Sequence, residues 1–293
     1  MFFLENQQLK VSVLDPVSDR DRLGSRYCTG GYIWQISGPG GVNLLSGPQY
    51  PHPEPERFDG QGAPEVFETA PGADSVPVGE EVLVIGVGMV RKTSPIHPFH
   101  VRNNPEVVKF CSWNTSVSEN AVCMETDQKF CLTSRSGEFP EEFGLHLERT
   151  VSLINRLVCS RSGLKNTGNC PLPLRWFAHP FFPLNPDFSC CKISVPVDVP
   201  QNKGFYLNPQ HVICRHKDYE WERGCFQRMN IKTGGPVKIT IFHPEAGQVE
   251  VSCEYALSSM PVWGNSRTFS VEPFYDSILM PGEAVNWQIS YQF

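Results

Sequence analysis

Hydrophobic residues recur at every second position over several short stretches of the chain: Leu9, Val11 and Val13; Val237, Ile239 and Ile241; Val249, Val251, Cys253 and Tyr255; and Val285, Trp287, Ile289, Tyr291 and Phe293. A period of two places such residues on one face of a β-strand, so each stretch predicts a strand with one side against a core. A longer alternation, Leu145, Leu147, Val151 and Leu153 followed by Leu157 and Cys159, breaks near Ile154 to Arg156 and predicts a hairpin whose bend carries no glycine. The segments Pro48 to Gly62, Pro71 to Gly79 and Ser162 to Pro173 are too rich in Pro, Gly, Asn and Asp for core elements and read as loops.

Composition extends this picture. The 26 prolines and 24 glycines are spread along all 293 residues and leave few stretches long enough for a helix. No repeat, low-complexity tract or compositional shift divides the chain. The expectation is therefore an all-β fold, a large antiparallel β-sandwich in which residues 1–293 form one domain. The net charge of −6, from 25 basic and 31 acidic residues, comes without any block of like charge and argues against a nucleic-acid partner. The opening MFFLENQQLK lacks the basic region and apolar core of a signal peptide. The longest apolar run, Val82 to Val90, falls short of the ~20 residues of a membrane helix. A cytoplasmic protein without a membrane partner is expected.

The 11 cysteines include no CxxC spacing, so no metal site is expected from them. Several, such as Cys253, lie on the apolar side of an alternating stretch and read as buried reduced thiols. Gly86-Val87-Gly88 lacks the third small residue and the following helix of a dinucleotide loop and reads as a bend in a strand region. Asn114-Thr115-Ser116 matches a glycosylation acceptor by chance.

Two positions hold more chemistry. In Leu172 to Leu184, LPLRWFAHPFFPL, an apolar strand ends in His179, ahead of two prolines and the pair Phe181 and Phe182. Near the end, Phe269-Ser270-Val271-Glu272-Pro273-Phe274 closes a strand with a carboxylate among hydrophobes, where desolvation raises a pKa toward the range useful to a general base. Each alone has an ordinary reading, a core histidine bonded to backbone and a strand-end glutamate reaching solvent. Arg26, Glu65 and Arg91 stand at similar strand-to-loop positions, and His97, His100 and Asp218 are weaker candidates. His52 and His243, each beside a proline in a turn, read as surface residues.

Taken in order, Leu23 to Ile36 (LGSRYCTGGYIWQI), Ile85 to Lys92 (IGVGMVRK), Leu164 to Gly168 (LKNTG), Arg175 to Phe182 (RWFAHPFF) and Val271 to Phe293 resemble the galactose mutarotase-like superfamily, the aldose 1-epimerases. The C-terminal stretch is the most specific, with Glu272, the turn Pro281-Gly282-Glu283 and a closing alternating strand. The resemblance implies a β-sandwich isomerase that interconverts the α and β anomers of a free or phosphorylated monosaccharide, with His179 as general acid, Glu272 as general base and no cofactor or metal. It also implies substrate contacts from Arg26, Glu65, Arg91, His100 and Asp218, with Arg26 and Arg91 suited to a phosphate. A tryptophan platform from Trp176, Trp221 or Trp263 would suit a neutral sugar. The Asn-x-x-His-Gly-type segment of the best-known members has no match here, with only His97 and His100 nearby in role. The alternative is a carbohydrate-binding protein of the same fold without turnover.

Overall fold

The computed structural model describes residues 1–293 apart from 53, 133–139, 201–203 and 233. Every strand pair among the described residues is antiparallel, and the helical content is confined to short 3₁₀ turns. The molecule is built on a ten-stranded sheet. From one edge its strands are Phe205–Leu207, Val212–Arg215, Ser189–Ile193, Val237–His243, Gly247–Cys253, Ala284–Gln292, Leu157–Asn166, Glu141–Ile154, Ala121–Leu132 and Asn114–Val117. The alternating stretches read from the sequence are its central strands. Val237, Ile239, Ile241, Val249, Val251, Cys253, Ile289 and Tyr291 are all buried on one face.

A three-stranded sheet, Phe274–Leu279, Leu172–Ala178 and Glu65–Phe67, lies across that apolar face. Phe67 and Trp176 pack edge-on against Trp287 of the large sheet, with ring centroids 6.1 and 5.5 Å apart. One continuous hydrophobic cluster runs from Leu4 through these residues to Phe293. A four-stranded sheet, Phe182–Pro183, Thr268–Val271, Val262–Gly264 and Cys225–Gln227, flanks the smaller one. The candidate residues His179 and Glu272 each follow the last residue of a strand in these two smaller sheets.

The hairpin expected near Ile154 pairs Ile154 with Leu157, and Asn155 takes the bend at φ 53°, where asparagine stands in for the absent glycine. Gly86 and Gly88 form the tight turn between Glu81–Val84 and Gly88–Arg91, as their bend reading predicts. Two expectations are corrected. The stretch from Ser162 is not loop up to Pro173, because the strand Leu157–Asn166 continues through it. Ser160, Ser162 and Leu164 alternate inward there, and serines that meet a buried cation look like turn residues in sequence. His243 is not at the surface but buried. Its Nε2 meets the carbonyl of Leu44 at 2.8 Å, and its Nδ1 accepts the N–H groups of Glu245 and Ala246. The imidazole thereby closes its own hairpin turn from within. No helix among the described residues is long and apolar enough to cross a membrane.

Candidate active site

The three-stranded sheet presents two faces of opposite character. Alternation sends Glu65, Phe67 and Trp176 into the sandwich and Val66, Glu68, Arg175, Phe177, Phe274 and Asp276 outward, where they floor a cleft of about 650 Å³. Phe177 and Phe274 stack with centroids 4.3 Å apart. Arg175 donates to Glu68 Oε2 at 2.7 Å and to Asp276 Oδ2 at 2.8 Å, and its guanidinium lies over Phe274. The floor is thus an aromatic plate crossed by a fixed acid–base–acid chain. Phe226, Arg228, Met229 and Asn230 form one wall together with the segment Ser258 to Pro261. Trp263, Arg26, Phe58, His100 and Arg102 complete the rim.

Glu272 lines one end of the cleft, and His179 stands behind it, outside the lining, with His179 Nε2 3.3 Å from Glu272 Oε1. Both sit at the end of a strand and immediately before a proline, Pro180 and Pro273, which holds the preceding residue extended. Both backbone N–H groups are also fixed by proline carbonyls, His179 to Pro64 at 2.8 Å and Glu272 to Pro261 at 2.9 Å. The same local grammar therefore sets the two side chains. Both are almost fully buried, with exposures of 2% and 5%.

Their electrostatic surroundings are unusual. The imidazole is boxed by Tyr27, Phe177, Phe181 and Trp263, and its Nδ1 has no hydrogen-bond partner. Its Nε2 faces Arg26 Nη2 at 3.0 Å, while Arg26 Nη1 donates to the carbonyl of Phe58 and the guanidinium lies over the rings of Tyr27 and Phe58. Burial, reinforced by the Arg26 charge, holds the His179 pKa well below its ordinary value. Burial also pushes Glu272 up to about 8, with Arg26 opposing the rise and Glu68 adding to it. Near neutral pH the two groups together therefore carry one acidic proton.

Of the other residues singled out in the sequence, Arg26 and His100 line the cleft and four do not. His100 lies 3.7 Å from Glu68, and its Nδ1 accepts the N–H of Arg102; burial lowers its pKa. Glu65 points into the sandwich, paired with Arg149 and accepting from Ser160 and, at 2.9 Å, Trp176 Nε1. Arg91 is paired with Glu106 and Glu81 on a separate hairpin, and Asp218 lies in an exposed turn. Neither lines the cleft. His97 pairs with Asp74, also outside it. Of the three tryptophans proposed as a platform, only Trp263 reaches the cleft. Sequence reading missed Glu68, Arg175 and Asp276, whose common signal is a charge two residues from an aromatic or aliphatic residue on the same strand face. It also missed Arg102 and Arg228, which come from a single 3₁₀ turn and an irregular segment with no periodic signal.

No protein-family model matches the chain and no curated protein matches it in sequence. Solved structures do. The chain is similar to a galactose mutarotase related enzyme from Lactobacillus acidophilus, at TM-score 0.57 and 12% identity, covering 99% of this chain and 96% of that one. It is also similar to galactose mutarotase-like proteins from Lactobacillus casei, at TM-score 0.52, 14% identity and 100% and 99% coverage, and from Clostridium acetobutylicum, at TM-score 0.52, 14% identity and 99% and 93% coverage. The chain has the galactose mutarotase-like fold.

Proposed function

We propose that on this galactose mutarotase-like scaffold His179 and Glu272 interconvert the anomers of a monosaccharide. The observation that carries the reading is the pair itself, a carboxyl that lines a sugar-sized cleft and an imidazole 3.3 Å behind it. Ring opening removes the proton of the anomeric hydroxyl while the ring oxygen is protonated. Both oxygens are bonded to the same carbon, so the acid and the base must stand side by side, as these two do. Rotation about C1–C2 and closure on the other face reverse both transfers and remake the C1–O5 bond, so start and finish differ only in the configuration at C1. Positioned acid–base catalysis supplies about 10²–10⁴-fold, and the Phe177–Phe274 plate with Glu68, Arg175 and Asp276 would hold the ring.

The rim bears on the choice between a neutral and a phosphorylated sugar. Arg102 and Arg228 line the cleft and are exposed, with no carboxylate partner among the described residues. Guanidinium groups free at a cleft mouth suit a phosphate oxygen, and we favour a sugar phosphate. NMR exchange spectroscopy on a panel of neutral and 6-phosphorylated aldoses is the test. Accelerated exchange for at least one sugar, lost about 10²–10⁴-fold in Glu272→Gln, is expected. A panel with no exchange above buffer removes the enzymatic reading.

One observation favours a second reading, a carbohydrate-binding protein without turnover: the His179 nitrogen that would exchange protons is engaged by Arg26. It predicts calorimetric binding of a sugar with no exchange.

A further inference from the structure

We infer that Arg26 is a positioning residue that fixes His179 as the neutral imidazole protonated at Nδ1, with Nε2 as the acceptor, so that the transferable proton of the free site rests on Glu272. The inference rests on the acid–base reading of the cleft and inverts the roles that the sequence resemblance implies.

The geometry is restrictive because a guanidinium has only donors. With Arg26 Nη2 3.0 Å from His179 Nε2, that nitrogen must offer its lone pair; an Nε2–H would set two donors against each other. The imidazole proton is then on Nδ1, the atom left without a partner among the aromatic rings. Glu272 Oε1 lies 3.3 Å from the same Nε2. A carboxylate oxygen beside a lone-pair nitrogen has no proton to attract it, whereas a carboxylic acid does. Both protonation shifts run in the same direction, with His179 driven neutral by burial and Arg26, and Glu272 driven protonated by burial. The other charged or titratable groups facing the pair are Glu68, which raises Glu272 further, and Tyr27, raised by burial. Arg175, Asp276, His100, Arg102 and Arg228 lie farther along the cleft.

From this resting state the proton bookkeeping of ring opening is fixed. The anomeric O–H bond breaks and its proton forms an N–H bond at His179 Nε2. The freed electron pair makes the C1=O bond, the C1–O5 bond breaks, and O5 takes the proton of Glu272. The products are an imidazolium and a carboxylate beside Arg26; the new anion balances the new cation, and the net charge of the site does not change. Arg26 must release Nε2 for the transfer, so the anomeric hydroxyl replaces its N–H on that nitrogen. Ring closure runs the same transfers backward and restores the starting state. The Arg26 contact is thus compatible with turnover as a hydrogen bond the substrate exchanges for its own.

A pH–rate profile of the parent protein alone does not separate the two assignments, because the pair holds the same number of protons in both. Spectroscopy without sugar does. With ¹⁵N-labelled histidine the free protein is expected to show His179 as the neutral Nδ1–H tautomer at neutral pH. The infrared spectrum near neutral pH is expected to contain a protonated-carboxyl band that Glu272→Gln removes. An Nε2–H tautomer, an imidazolium, or an ionised Glu272 near neutral pH overturns the inference. Since no sugar is present, these readings stand whether or not turnover is found. Arg26→Met should raise the pKa of both groups, because the cation lowers each, and should release the neutral imidazole from the Nδ1–H tautomer. Arg26→Lys, which keeps the charge, should leave both near their parent values. An Arg26→Met protein in which neither group moves also overturns it.

Discussion

Two glutamates, Glu65 and Glu272, sit at nearly equal burial, 3% and 5% exposed, and their neighbourhoods differ in kind. Glu65 faces the sandwich interior, where the guanidinium of Arg149, the hydroxyl of Ser160 and the indole N–H of Trp176 converge on its two oxygens. Arg149 is itself held by Ser160, Ser162 and the carbonyl of Gly30. Glu272 faces the cleft with His179 as its nearest polar contact and is pushed up to about 8. Depth alone does not decide what a buried carboxyl does; the supply of donors does. One network ties the sheets together, and the other leaves an acid with its proton available.

The largest effect that tests this contrast is expected at the interior pair. Arg149→Met leaves Glu65 buried without its cation and should destabilise the fold by about 3–5 kcal/mol in urea denaturation. A loss under ~1 kcal/mol would mean that the donors around Glu65 are not what holds it.

The next prediction concerns the pH dependence of stability. Glu272 has a folded pKa above its unfolded value, so between the two the folded state binds more protons and stability falls as pH rises. His179, lowered on folding, works in the opposite direction but only below its unfolded value of about 6.5. From about pH 6.5 to pH 8 the Glu272 contribution is no longer opposed by His179 and amounts to near 2 kcal/mol at 1.36 kcal/mol per unit, while the smaller contribution of His146 is common to both proteins. Denaturation curves should show the parent protein losing about that much relative to Glu272→Gln across the window, and parallel curves would remove the contrast.

A smaller change weakens the interior donor set by one member. Ser160→Ala should cost about 1.5 kcal/mol, the lower end for a hydrogen bond to a charged group, with anomer exchange unaffected. If exchange falls with stability, the two sides of the sheet are coupled in a way the separate networks do not provide.

Much of this arrangement was legible in the sequence, for physical reasons that also mark where reading failed. Strands with one apolar face announce themselves by period two, which is why the central strands of the large sheet were found. His179 and Glu272 stood out because each is a polar residue closing an apolar strand before a proline. Glu65 and Glu68 are the instructive pair. The segment Glu65-Val66-Phe67-Glu68 alternates a glutamate with an apolar residue on each face, so periodicity could not say which carboxyl looks at the cleft. His243 misled because its proline neighbour signals a turn, while its burial depends on the carbonyl of Leu44, far away in the chain. Arg102 reaches the cleft from a single 3₁₀ turn and Arg228 from irregular backbone, and no local pattern marks such positions.

The shared strand-end geometry of His179 and Glu272 has a practical meaning for altering the protein. Each is fixed by its own backbone, through the following proline and a bond to a proline carbonyl, while the wall at 226–230 and 258–261 comes from other segments. The floor of the cleft thus shares its stretches of chain with the pair, and the wall does not. Under the proposed function, a library confined to Phe226, Arg228, Met229, Asn230 and Ser258 to Met260 would vary the wall that the sugar meets without touching His179 or Glu272. Pro261 is the position to leave constant, since it lines the wall and its carbonyl holds Glu272.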